Sequence, residues 1–172
     1  MVGYSGASWY GDPCRECGFS WAISVDDGIA VVASLPDACA LVLRGATGAE
    51  RHPDLAWSAA EYVCHVGDNL RIWAERLMGV VEGAAPEIGD YNENELAYAR
   101  NYSSIPLPAA LWSLGRAVDD WQLAVGRSSP TGTVVIHPER GEQSLSDVVV
   151  SNAHDCLHHL WDVERSLPVN RR

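Results

Sequence analysis

The chain has 172 residues, a length that suits one domain with a core large enough to fold without disulfides. Its 12 basic and 23 acidic residues leave a formal net charge of −11, which repels phosphate backbones and anionic lipid surfaces and argues against nucleic acid or membrane as a partner. The N-terminus, Met1-Val-Gly-Tyr-Ser-Gly, lacks the basic and apolar regions of an export signal, and charges interrupt the apolar residues throughout, so the reading is a soluble cytoplasmic protein.

Residues 1–25 are rich in glycine, serine and aromatics without a helical period and read as an irregular arm anchored by Trp9, Tyr10, Phe19 and Trp21. The arm carries Cys14-Arg-Glu-Cys17. In a reducing compartment, and with an odd total of five cysteines, this Cys-x-x-Cys points to metal or redox chemistry rather than a disulfide framework. Cys39, Cys64 and Cys156 fall in helical patterns as small apolar residues. Cys64 is also a candidate to join Cys14 and Cys17 in a second metal or redox site on the outer side of its helix.

From Asp26 to Leu43 apolar residues recur at helical spacing, with Asp26 as N-cap, Pro36 as a kink or split and Gly45 as the stop. Ser58 and Glu61 match a capping box, which predicts a helix from about Ala59 to Val81. Tyr62, Val66, Leu70, Trp73 and Leu77 form its apolar stripe, with His65 beside it. Residues 84–105 read as a long polar connection with a helical turn around Glu95–Arg100. A third helix begins near Pro108 and closes at Gly126, and Thr131 to Gln143 holds an extended run and a turn that suit a small hairpin. Ser144 and Asp147 open the last helix, Pro168 ends it, and residues 167–172 form a tail. The sum is an all-α four-helix bundle over residues 26–166 with one long crossover.

His154 and His158 stand four residues apart on the last helix, a spacing that stacks two imidazoles on one face where they can share a metal ion. Catalytic metals usually take three protein ligands, and His65 on the second long helix is the candidate for the third. Asp68, three residues after His65, and Asp162, four after His158, are placed to hold a ring N–H, and Glu61 or Asp68 is the candidate base. The competing reading leaves His154 and His159 on the surface with only His158 buried. His52 and His137 sit in loops and carry no assigned role.

The segments Trp57-Ser-Ala-Ala-Glu61-Tyr-Val-Cys-His65-Val-Gly-Asp68 and His154-Asp-Cys-Leu-His158-His-Leu-Trp-Asp-Val-Glu164 resemble the two metal-ligand helices of the DinB-like superfamily. That superfamily includes the N-terminal domain of mycothiol-dependent maleylpyruvate isomerases and related thiol S-transferases. The resemblance implies a four-helix bundle with His65, His154 and His158 around a divalent metal, zinc first with nickel or iron as other choices, and His159 as a neighbouring non-ligand. It further implies mycothiol or another low-molecular-weight thiol as cosubstrate, activated toward a small electrophile. Asp90, Tyr91, Asn92, Glu95 and Arg100 would be available for polar contacts at the bundle mouth. Cys14-Arg-Glu-Cys17-Gly-Phe19 resembles a cysteine-containing extension found in a subset of such proteins. Metal-assisted hydrolysis and a non-catalytic, metal-stabilised stress-response or interaction module are the alternatives. Seven tryptophans in a bundle of this size are compatible with a homodimer.

Overall fold

The structure, a computed structural model, describes residues 6–168; the first five residues of the arm and the last four of the tail lie outside the described residues. Helices α1 (Gly6–Tyr10), α2 (Val25–Val42), α3 (Ala59–Val81), α4 (Glu93–Ala99), α5 (Leu107–Ser128) and α6 (Leu145–Ser166) are joined by loops. An antiparallel hairpin of β1 (Val134–His137) and β2 (Gly141–Ser144) precedes α6. No helix among the described residues is long and apolar enough to cross a membrane.

Two complete capping boxes set where the long site-bearing helices begin. Ser58 Oγ accepts from the Glu61 backbone N–H while Glu61 accepts from the Ser58 N–H at 2.7 Å, and Ser144 and Asp147 repeat the arrangement at the start of α6. Each box satisfies two backbone donors that a helix start would otherwise leave open. From there the apolar stripes dictate the packing: α3 lies along α5, α2 along α6, and α3 also meets α6. Tyr62, Val66, Leu70, Trp73 and Leu77 are all buried, and they meet a core that includes Leu114 and Trp121 of α5, Leu35 of α2 and Val149 and Val163 of α6. Trp121 Nε1 donates to Asn152 Oδ1 at 2.7 Å, so the largest fully buried side chain also crosslinks α5 to α6.

The long connection is tied down at both ends. Ile136 N–H donates to Pro86 O at 2.8 Å and Ile88 N–H to Ile136 O at 3.0 Å, which lays the segment after α3 along the hairpin. Farther on, the buried Asp68 carboxylate of α3 accepts from Tyr102 Oη at 2.7 Å and pairs with Arg71 and with Arg100 at 3.0 Å. Three donors on one buried carboxylate hold the end of the connection against α3.

Several local expectations shift. Ser24 rather than Asp26 caps α2, because its hydroxyl accepts from Asp27 N–H at 3.0 Å, while Asp26 and Asp27 occupy the first turn where the helix dipole favours carboxylates. Pro36 neither ends nor splits α2, which continues six residues beyond it to Val42; packing of Leu35 and Cys39 into the core outweighs one missing ladder bond. α5 runs past Gly126 to Ser128. The arm is not wholly irregular, since α1 is a short helical turn. Trp9 near its end has its side chain 65% exposed, whereas Phe19 is buried.

Candidate metal centres

Helix α6 presents its ionisable side chains on two adjacent stripes. Cys156 is fully buried in the core. His154 and His158 each stand two residues from it, about 200° around the helix, and so face away from the bundle. Asp155 and His159 lie one turn apart on the stripe between, facing the α3 side.

On that side, single donor atoms of His65, Asp155 and His159 lie within 4.8 Å of one another. The rings of His65 and His159 meet edge to face at 4.7 Å between centroids. The three line a cleft of about 500 Å³ whose walls include Trp57, Trp73, Arg76, Asp90 and Tyr91. Supporting contacts fix each group. Asn69 Nδ2 donates to Asp155 Oδ2 at 2.8 Å, and Tyr91 Oη donates to Asn69 Oδ1 at 3.1 Å. His159 Nδ1 lies 3.0 Å from Asp162 Oδ2, which leaves Nε2 facing Asp155 Oδ1 at 3.5 Å.

The charge states follow from these contacts. Burial works against the Asp155 carboxylate, but attraction to His159 and hydrogen bonds from His159 and Asn69 hold it well below the usual carboxylate range. Burial likewise works against a charged His159, yet Asp155 and Asp162 lift it to about 9. His65, depressed by burial to about 4, is neutral. The metal-free centre therefore holds a proton on His159 between carboxylates, and metal entry displaces it, as expected when a ligand must be deprotonated. Two imidazoles and a carboxylate, one imidazole already oriented by a second carboxylate, form a donor set that fits a divalent metal. Asp162→Ala should accordingly weaken metal affinity at this centre by about 10- to 100-fold, the usual effect of removing such a support. A competition titration against a chelator measures this, and unchanged affinity would take the orienting role from Asp162.

On the outer face, donor atoms of Cys14, Cys17, His154 and His158 also lie within 4.8 Å of one another. Cys14 Sγ is 3.9 Å from His158 Nδ1, and His158 Nε2 is 3.3 Å from Glu16 Oε2. His154 is buried among the rings of Tyr10, Phe19 and Trp21, at centroid distances of 4.7, 5.3 and 4.5 Å. Its Nε2 has no hydrogen-bond partner among the described residues. Burial depresses His154 to about 4 and lowers His158 too. Burial also pushes the Cys17 thiol up to about 11, against an opposing hydrogen bond from the Phe19 backbone. That direction is opposite to the one a reactive redox thiol needs.

The structure thus divides the expected set of His65, His154 and His158. His65 is joined by His159, expected as a non-ligand, and by Asp155. His154 and His158 face the arm instead, with His154 also lining the cleft. The surface reading of His154 fails because the arm buries it. Asp162 supports His159 rather than His158, and Asp68 is engaged by Tyr102, Arg71 and Arg100 on another face of α3. Glu61 is occupied by its capping box and Arg51, so neither it nor Asp68 is placed as a base. Cys64 is half-buried and does not join Cys14 and Cys17. Of the mouth residues, Asp90 and Tyr91 line the cleft, while Asn92 caps α4, Glu95 donates its N–H to that cap and Arg100 binds Asp68. His137, given no role, also lines the cleft, with Nε2 3.7 Å from Asp90. Asp155 and His159 repeat the four-residue spacing one position on, the signal in the sequence that points to Asp155 as a donor.

The sequence matches the family model of the DinB superfamily over residues 31–163. Among solved structures it is similar to YfiT from Bacillus subtilis, described as a probable metal-dependent hydrolase with an unusual four-helix bundle topology. The TM-score is 0.72 at 16% identity, covering 84% of this chain and 88% of that chain, and the likeness shows a shared fold. No curated protein matches the chain.

Proposed function

This chain belongs to the DinB superfamily, and from that premise we propose that it is a metal-dependent enzyme acting on small molecules in the cleft where His65, Asp155 and His159 converge. A low-molecular-weight thiol, mycothiol first, is the proposed cosubstrate. The convergence of these three donors at the wall of an open cleft carries the reading. A divalent ion held there, zinc before nickel or iron, would supply Lewis acidity and lower the pKa of a thiol or water reaching its open position.

The residues of the chain do the rest. Asp155 in place of a third imidazole removes one unit of positive charge from the centre, which moderates its pull on an incoming anion. Asn69 and Tyr91 keep the Asp155 carboxylate in place, and Asp162 keeps the His159 ring turned inward. Trp57, Trp73 and Tyr91 offer aromatic faces, and Arg76, stacked 4.8 Å over Trp73, adds a cation. Aromatic faces interleaved with hydrogen-bonding groups suit a polyhydroxylated thiol better than an apolar substrate.

Hydrolysis is the second reading, favoured by the description of YfiT as a probable metal-dependent hydrolase. A panel of mycothiol, bacillithiol and glutathione with a model electrophile, run beside ester and amide substrates without thiol, separates the two. Conjugation that needs the thiol and disappears in His65→Ala supports transfer. Turnover without thiol selects hydrolysis, and no turnover in either arm selects a non-catalytic module.

A further inference from the structure

The outer face of α6 poses a problem that the bundle alone does not solve. His154 and His158 point away from the core, yet His154 is 5% exposed and its Nε2 lies buried without a hydrogen-bond partner among the described residues. An unsatisfied buried nitrogen costs free energy, so a ligand for it is the economical explanation. Two thiols of the arm, held on one tight turn, lie within 4.8 Å of a ring nitrogen of each histidine.

We propose that Cys14, Cys17, His154 and His158 form a closed tetrahedral zinc site that fastens the N-terminal arm to α6. It is distinct from the centre at His65, Asp155 and His159, with which it shares no residue. Two cysteines and two histidines are a structural zinc donor set, and four protein ligands leave no position for substrate. The geometry is close to what such a site requires. Zinc bonds of about 2.3 Å to sulfur and 2.0–2.1 Å to nitrogen place sulfur and nitrogen about 3.6 Å apart across a tetrahedral edge. Cys14 Sγ and His158 Nδ1 stand 3.9 Å apart, so this edge needs only a small contraction, and all four ligand atoms lie within 4.8 Å of one another.

The turn is built for the purpose. Gly18 takes a left-handed φ of 73°, its N–H bonds Cys14 O at 3.0 Å, and Cys14 N–H bonds Phe19 O at 2.8 Å. These bonds curl Cys14 and Cys17 toward one side. With Nδ1 of His158 facing the sulfur, its Nε2 faces Glu16, the residue just before Cys17, at 3.3 Å. Histidine ligands commonly donate their second N–H to a carboxylate, and the turn that brings the thiolates brings that carboxylate too. Tyr10, Phe19 and Trp21 close over His154 and exclude water from one side.

Loading the metal-free full chain with cobalt tests the proposal without any substitution. Thiolate-to-cobalt charge transfer in the near ultraviolet, together with intense tetrahedral visible bands, is the expected spectrum. Their absence overturns the site. Elemental analysis of the zinc-loaded protein should find about two ions per chain, with about one lost in Cys17→Ser and in His158→Ala. Charge transfer should persist in His65→Ala, which removes a ligand from the other centre only, so failure of one site is distinguishable from failure of the other. Metal content unchanged in Cys17→Ser, or a Cys14–Cys17 disulfide found by mass spectrometry in protein purified under reducing conditions, also overturns the proposal. Released zinc should make the arm sensitive to limited protease in the wild type, and arm cleavage indifferent to chelator counts against the fastening role.

Discussion

Trp121→Ala is expected to destabilise the protein by about 3–5 kcal/mol, the range for deleting a large buried aromatic. Trp121 is fully buried in the core on α5, so truncation opens a cavity that the surrounding side chains fill only in part. A second cost adds to the first: Asn152 Oδ1, itself buried, loses the indole N–H that it accepts at 2.7 Å. For a chain of this size the melting temperature should fall by roughly 6–20 °C. Trp121→Phe keeps most of the volume but strands the same carbonyl, at about 1–3 kcal/mol. Denaturant melts of both variants measure the two contributions. A loss below about 1 kcal/mol for Trp121→Ala would show that this side chain does not hold the bundle together.

The second large effect is expected at Asp155. Asp155→Ala leaves His65 and His159 as two imidazoles, one ligand short of the usual three, and should abolish tight binding at the inner centre. Metal content should fall by about one ion per chain while the cobalt–thiolate signal of the outer cluster stays. The metal-free protein should respond as well, with a loss of about 1.5–3 kcal/mol, because the charged hydrogen bond to His159 is gone. The sign of its pH dependence follows from the two shifts. His159, raised to about 9, contributes stability that is fully present below its ordinary value and is lost as pH rises through 9. Asp155, depressed, contributes stability that is present above the ordinary carboxylate value and is lost as pH falls through its own lowered one. The difference between wild type and variant in chelator should therefore be widest from mildly acidic to neutral pH and close toward alkaline conditions. A difference that grows above pH 9 would contradict the assigned pairing.

Much of the bundle was legible because its signals are local. Ser58 with Glu61 and Ser144 with Asp147 announce helix starts through bonds made within one turn, and the stripe from Tyr62 to Leu77 announces which face is buried. The presence of the small hairpin likewise follows from a short β-branched run and a turn. The donor sets were less legible because they depend on how α6 is rotated about its own axis. His154 with His158 and Asp155 with His159 have the same spacing, and spacing alone favours neither. Burial of Val149, Ala153, Cys156 and Val163 sets the rotation, and it sends the two pairs to different neighbours. The role of the arm was hidden for a related reason. His154 would be a surface residue on the bare bundle, and the residues that cover it are more than a hundred positions away in sequence.

Tyr10 belongs to the arm, yet it packs on His154 and also lines the inner cleft. It lies outside residues 31–163, the stretch that matches the superfamily. The cleft is thus walled by two parts of the chain: the stretch that matches the superfamily, which holds the donors, and the arm outside it, which trims the opening. Edits to a short peripheral segment can therefore change which molecules enter while leaving the helices that carry the donors untouched.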